Sequence, residues 1–409
     1  MTTIIFATIG DPKRYEEVEY FIQGKSPVRS RMSFLALKDL LPNPSDIKTV
    51  AIIGISTADI FGCECKDYSL CSTCISNKAG EIGVKVDEFI VPPNPYKNFK
   101  TKPEYYFTYV YYKALKILER ENPTDVYLDI THGINYMIDL AKEALLLAVS
   151  AYAAMQGKNI NFRVYNSDPI MMDANRKVLK GPYEIHEIEK RTITPLLGLK
   201  HITTQIISRD KNYFQILRRD GVIDDVKKIA KFANALDNGL FVYFADKSNE
   251  IQRIKDSLES KLTEVNMNID NEIRIEFKPG SYALAHSLLY IALHFKPKGG
   301  NCLDIEALKE FAEKYADEVT KTIIQNEIDN TIEKNKDRIG KEKKLLAEIV
   351  KSGLEELLGK QKDVEKKGGN KRILYAHGGL PLAWTYVYEQ DGKICVTYGD
   401  KINEVENNM

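Results

Sequence analysis

An excess of charge of one sign is missing from this chain. Lys and Arg together number 58, as do Asp and Glu, across 409 residues. That balance excludes a surface built globally to coat a polyanion, so any attraction for nucleic acid has to be local. Long apolar runs are missing too. The longest, Ala144 to Met155, is too short to span a bilayer, and Asp139, Lys142 and Glu143 interrupt the segment before it. Met-Thr-Thr leads directly into the strand-like run Ile4-Ile-Phe-Ala, without the basic start and small-residue cleavage site of a signal peptide, so a cytoplasmic location is expected. HExxH, a P-loop, a nucleophile elbow and GxGxxG are all absent, as are internal repeats. His286 and His294 lie on an apolar helical segment at no metal-like spacing, and His186 and His201 are isolated. No metal is expected.

Cysteine is sparse but grouped. Cys63-x-Cys65 and Cys71-x-x-Cys74 fit a disulfide clamp, a four-thiolate zinc site or free thiols, all of them structural roles. A Lys/Glu/Ile-rich composition is compatible with a hyperthermophile, where intracellular disulfides occur. Cys302 and Cys395 read as core residues.

The length suits two or three domains, and 44% hydrophobic residues suffice for packed cores. The first half alternates strands and helices. Ile4 to Thr8, Val50 to Ile55, Val84 to Val91, Asp125 to Ile130, Asn161 to Tyr165 and Tyr183 to Ile193 read as strands. Phe34 to Leu41, Tyr105 to Glu121 and Asn135 to Met155 read as helices. This order predicts a mostly parallel, doubly wound sheet, in which ligands sit beyond the C-terminal strand ends. Thr8-Ile-Gly10, Ser56-Thr57 and Thr131-His132-Gly133 all fall at such ends. Beyond Pro195 the pattern is helical: Asp224 to Leu236, Ser248 to Val265, Tyr282 to Phe295, Ile305 to Asn326, Lys341 to Leu358, and a helix around Arg372. The polar stretch around Asp270 reads as a loop, and Glu327 to Lys371 as a solvated helix plus a mobile loop. Asp391-Gly392 between two aromatic, β-branched runs predicts a terminal hairpin from Trp384 to Tyr398.

Two constellations carry chemistry. In Asp129-Ile-Thr-His-Gly-Ile-Asn135, Gly133 permits close backbone approach and the following helix offers N–H groups to an anion. Thr131, His132 and Asn135 add donors, and His132 also fits a catalytic base acting on the bound ligand. The bland reading is a tight turn with Asn135 as helix cap. The second constellation is Arg372-Ile-Leu-Tyr-Ala-His377, followed by Gly378-Gly379. Imidazole moves protons near neutral pH, and a guanidinium holds phosphate oxygens bidentately. On an ideal helix the two residues stand about 140° apart, so they converge best where two copies line one cleft. The bland reading is a surface arginine and a capping histidine. Gly378-Gly379 acts as a helix stop, and a histidine in the last turn has its pKa raised. Lys360, Lys362, Lys366, Lys367 and Lys371, with Gly368-Gly369, form a basic approach able to steer RNA.

Together these motifs resemble the CRISPR-associated CARF–HEPN ribonucleases of type III systems, particularly the archaeal kind. The likeness covers nearly the whole length: Thr8-Ile-Gly10 and Asp129 to Asn135 match the CARF part, and Arg372-x4-His377 with its trailing His-Gly-Gly-Leu matches the HEPN part. The resemblance implies an α/β Rossmann-like CARF domain over 1–195 and an intermediate helical segment over 196–300. A mainly α-helical HEPN domain with a terminal β-hairpin follows over 301–409. It also implies a homodimer or higher homo-oligomer in which a cyclic oligoadenylate binds across the CARF pair and switches on cleavage of single-stranded RNA. Cyclic tetra-adenylate is the expected ring, its symmetry matching a two-fold dimer.

Thr8, Gly10, Ser56, Thr57, Thr131, His132, Gly133 and Asn135 are the expected activator contacts. Arg372 and His377 are the expected catalytic pair, with Lys366, Lys367 and Lys371 steering RNA. Products are a 2′,3′-cyclic phosphate and a 5′-hydroxyl, formed without a metal or other cofactor. Ile373 departs from the polar residue frequent after the motif arginine, and Asn370 or Tyr375 is the candidate substitute. The rivals are a ring nuclease acting in the CARF pocket and a CARF-controlled transcription regulator. The latter needs a base-reading helix that is not evident, so stable DNA binding is not expected.

Overall fold

The computed structural model describes residues 2–134, 136–175, 177–297, 302–350 and 370–409, with the backbone alone at 211 and 370–372. Two compact units emerge. The first comprises residues 1–153, 158–194 and 259–283, and the second 154–157, 195–258 and 284–409.

In the first unit, continuous apolar runs become buried strands. The strands are β1 (Thr3–Ile9), β2 (Val18–Phe21), β3 (Val28–Ser30), β4 (Ile47–Ile53), β5 (Glu88–Ile90), β6 (Phe99–Lys100), β7 (Asp125–His132), β8 (Ile160–Ser167) and β9 (Tyr183–Ile193). All but β6 form one sheet in the order β3-β2-β9-β8-β7-β1-β4-β5. Pairing is parallel from β5 through β4, β1 and β7 to β8, and β9 runs antiparallel to β8. Ile4, Ile5 and Phe6 of the central β1 are fully buried, as a strand covered on both faces requires. Within the parallel run from β5 to β8, the strands after β1 in chain order are laid down first on one side, as β4 and β5, and then on the other, as β7 and β8. This reversal of direction opens a crevice at the C-terminal strand ends.

Several expectations change here. The Val84 to Val91 run is a strand only over Glu88–Ile90. The polar stretch around Asp270 is the turn of a hairpin, β10 (Asn266–Ile269) with β11 (Ile273–Glu276). Through β11, which pairs with β6, residues 259–283 join the first unit. The clustered cysteines form a clamp, Cys63 with Cys74 and Cys65 with Cys71.

The second unit is mainly helical, with a four-stranded antiparallel sheet. Its strands are β12 (Leu303–Asp304), β13 (Lys344–Leu345), β14 (Tyr386–Gln390) and β15 (Lys393–Thr397), ordered β12-β15-β14-β13. Asp391 and Gly392 both take positive φ, 52° and 76°, which the tight hairpin turn between β14 and β15 requires. The expected Ile305 to Asn326 helix is two helices, Ile305–Tyr315 and Glu318–Glu327. It breaks because the Asp317 carboxylate caps the second by accepting the Thr320 N–H at 2.8 Å. The segment expected as a helix from Lys341 to Leu358 begins as β13 followed by a short helix, Leu346–Ile349; residues 351–369 lie outside the described part. Cys302 and Cys395 are not lone core residues. Pairing of β12 with β15 brings their Cα atoms to 5.5 Å, within bridging distance, and they form a third disulfide. Among the described residues no helix is long and apolar enough to cross a membrane.

Candidate functional site

The crevice of the first unit encloses about 430 Å³. Each part of its wall follows a strand end: Asp11 and Arg14 after β1, Ser56, Thr57 and Ile60 after β4, Asn94 to Lys97 after β5, and Ile134, Tyr136 and Met137 after β7. Ser56 and Thr57 therefore stand where the sequence placed them. Asn94 braces this wall, its Oδ1 accepting the Ser56 N–H at 3.0 Å and its Nδ2 donating to Ser56 Oγ at 2.8 Å. Gly54 makes room for it, since a Cβ there would sit 2.4 Å from Asn94 Oδ1. The Thr57 hydroxyl donates to the Gly54 carbonyl at 2.8 Å.

The other expected contacts form the layer beneath this wall. Thr8 is buried, and a Cβ on Gly133 would lie 2.6 Å from its Oγ1 and 2.2 Å from Ile138 Cγ1. Gly133 thus serves a close approach of backbone to neighbouring side chains. The Gly10 N–H donates to the Tyr15 hydroxyl, which donates to the His132 carbonyl, both at 2.9 Å. The His132 ring packs 4.4 Å from Tyr15, and its Nε2 accepts the Ser33 N–H at 3.2 Å. Burial pushes the His132 pKa down to about 4, so the ring is neutral. Thr131 Oγ1 accepts the Ser167 N–H at 3.0 Å, and the Thr131 N–H donates to Asp129 Oδ1 at 2.8 Å. Burial holds the Asp129 carboxyl up at about 6. Asn135 lies outside the described residues.

Sequence reasoning missed Asp11, Arg14, Asn94, Tyr96, Lys97 and Tyr136. A signal for the middle group existed: Pro92-Pro-Asn-Pro95 directly follows a strand, a fourth end meeting the same positional rule. Arg14 is largely exposed and pairs with Asp11 at 3.0 Å, so a cation stands at the rim. Lys97 adds another, its Nζ 5.2 Å from the centre of the Tyr96 ring.

In the second unit, the Asn370–Ala376 helix carries Arg372 and delivers His377 just past its end. Two glycines stop it: Gly378 (φ 54°) and Gly379 (φ 78°) are both left-handed, and the Gly379 N–H donates to the Leu374 carbonyl at 3.0 Å. A Cβ on Gly378 would stand 2.6 Å from Ile324 Cγ1, so the missing side chain lets this turn press on the Glu318–Glu327 helix. That contact sets His377 Nδ1 2.8 Å from Glu327 Oε1. The hydrogen bond that His377 Nδ1–H donates to the Glu327 carboxylate, more than the negative charge of that group, raises the His377 pKa, and burial opposes it only in part. The direction matches the sequence expectation, but the cause is a carboxylate 50 residues away. The histidine side chain is 35% exposed, so its ring remains reachable. Side chains of Asn370, Lys371 and Arg372 lie outside the described residues, as do Lys366 and Lys367 entirely.

Residues 4–169 match the family model described as CRISPR system endoribonuclease Csx1, CARF domain. Residues 317–401 match that of CRISPR system endoribonuclease Csx1, HEPN domain. Among curated proteins none matches the chain.

Proposed function

The chain belongs to the CRISPR-associated CARF–HEPN ribonuclease family, and on that premise we propose that it is an endoribonuclease switched on by a cyclic oligoadenylate. The observation that carries this reading is His377. It is half-buried, held at one nitrogen by Glu327, and placed five residues after Arg372 inside the HEPN match. An imidazole with one nitrogen anchored and the ring partly open to solvent is equipped for proton transfer.

The substrate is single-stranded RNA. The Arg372 guanidinium holds the non-bridging oxygens of the scissile phosphate, where negative charge grows as the 2′-oxygen attacks. His377 transfers the proton, leaving a 2′,3′-cyclic phosphate and a 5′-hydroxyl with no metal or other cofactor taking part. In the CARF crevice, Arg14 and Lys97 supply cations for ring phosphates, and Tyr96 and Tyr136 offer faces for adenine. A two-fold pair of chains suits cyclic tetra-adenylate. For the ring to act as a switch it must bind the active arrangement more tightly than the resting one. The working environment in this reading is the cytoplasm.

The test is RNA cleavage in the presence of cyclic tetra-adenylate and EDTA, with analysis of the product ends. Cyclic-phosphate ends, together with loss of cleavage in His377→Ala, are the expected result. Loss of cleavage on chelation, or full activity in that variant, contradicts it.

A further inference from the structure

We propose that Glu327 is a positioning residue for RNA cleavage: it grips Nδ1 of His377 and so turns that ring into the acid delivering an Nε2 proton to the leaving oxygen. This deepens the ribonuclease reading and rests on it. Three independent features converge on the contact. Glu327 Oε1 lies 2.8 Å from His377 Nδ1, across 50 residues of sequence, so the contact is not a by-product of one helix. The close approach at Gly378 brings the histidine turn against Ile324, nearly one helical turn before Glu327. The carboxylate is also held from its other side, Thr331 Oγ1 donating to Glu327 Oε2 at 3.2 Å. Thr331 belongs to a π-helical turn, Ile328–Ile332, that begins immediately after Glu327. Such turns are rare and recur at functional sites.

The surroundings leave Glu327 to act on the ring. Ile323, Ile324 and Leu240 pack against the two glycines, and the Tyr398 hydroxyl donates to the Gly379 carbonyl. Tyr375 and Arg372 lie on the helix leading into His377. Among the described side chains in this set Glu327 is the one carboxylate, and the other titratable groups are the hydroxyls of Tyr375 and Tyr398, whose pKa values burial raises.

With Nδ1–H committed to Glu327, the mobile proton sits on Nε2. The paired carboxylate raises the ring's pKa and favours the imidazolium near neutral pH, the form an acid needs. In the step itself the ribose 2′-hydroxyl gives its proton to water and the 2′-oxygen bonds to phosphorus. The bond from phosphorus to the 5′-oxygen breaks, its electron pair staying on that oxygen, which takes the Nε2 proton. Water then returns a proton to the ring. Glu327 touches neither substrate nor reacting atoms; it acts through the histidine.

Two readouts test this on the full chain. Histidine ring signals are followed by NMR titration in wild type, Glu327→Gln and Thr331→Val, with His377→Ala to assign the resonance. The His377 pKa is expected to fall in Glu327→Gln and by less in Thr331→Val; an unchanged value in both overturns the pairing. Cleavage of single-stranded RNA is then measured against pH. Glu327→Gln is expected to lose roughly tenfold to a hundredfold in rate near neutrality, with the alkaline limb of its profile moved to lower pH. An unmoved profile, or movement of the acidic limb instead, overturns the acid role. Should Glu327→Gln fail to fold, Thr331→Val decides by the direction of the same two shifts. A wild-type protein with no His377-dependent cleavage overturns the ribonuclease reading itself, and the ring titration then decides the pairing alone.

Discussion

Two turns in this chain carry a histidine beside glycine, and the two histidines have opposite environments. His132 in the CARF unit is buried, neutral, and held through Nε2 by a backbone N–H. His377 in the HEPN unit is a third exposed, held through Nδ1 by a carboxylate, and has its pKa raised. A histidine-glycine pair in the sequence looks the same in both places. The difference lies in what the absent glycine side chain admits. At Gly133 the space is filled by Ile138 and Thr8, which seal the turn into the sheet. At Gly378 it is filled by Ile324, which draws the turn toward the largely buried carboxylate of Glu327. One histidine thereby becomes scaffold beneath a crevice, and the other a candidate proton donor.

The sharpest way to break this contrast is to remove each histidine. His377→Ala is expected to lower RNA cleavage at least roughly a hundredfold while leaving binding of a labelled cyclic tetra-adenylate intact, measured by filter binding. His132→Gln keeps an acceptor for the Ser33 N–H and is expected to keep cleavage within a few-fold of wild type. The reverse pattern would invert the assignment. Next in size is Gly133→Val, whose branched side chain meets Ile138 and Thr8. It is expected to cost about 1–3 kcal/mol of stability and to weaken ring binding, read by thermal melting and the same binding assay. A rim substitution, Arg14→Ala, is expected to weaken ring binding several-fold and to flatten its salt dependence, because Arg14 is exposed and contributes one cation.

The smallest effect concerns pH. The His132 pKa is depressed from 6.5 to about 4, so its contribution to stability is present above pH 6.5 and is lost as pH falls toward 4. Asp129 is raised from 3.8 to about 6, so its contribution is present below pH 3.8 and is lost as pH rises through 6. The two slopes oppose each other over one window. In His132→Gln only the Asp129 slope remains, and melting at pH 5 relative to pH 7 is expected to rise by about 2–4 °C compared with wild type.

How much of this was legible beforehand follows physical rules. The strands β1, β4 and β7 are continuous apolar runs, and their ends located the crevice at Ser56 and Thr57. Strands β2 and β3 escaped notice because they are short and carry Glu19 and Arg29 among their apolar residues. The helix Pro195–Ile207 was also missed, although Pro195 marks a helix start. The return of residues 259–283 to the first unit depends on two register positions, Ile273 opposite Phe99 and Arg274 opposite Lys100, which no periodicity reveals. Glu327 was invisible for a related reason. It is one of many glutamates in a Lys/Glu-rich stretch, and only the approach at Gly378 selects it. Arg372 and His377 were legible as a motif, whereas the carboxylate that acts on the histidine is a product of the fold.

The most direct measurement compares the initial rate of single-stranded RNA cleavage in EDTA with no ring and with cyclic tri-, tetra- and hexa-adenylate. The account predicts a large stimulation by one of these rings, cyclic tetra-adenylate foremost, that disappears in His377→Ala. A cleavage rate indifferent to every ring, or stimulation surviving intact in His377→Ala, would contradict it.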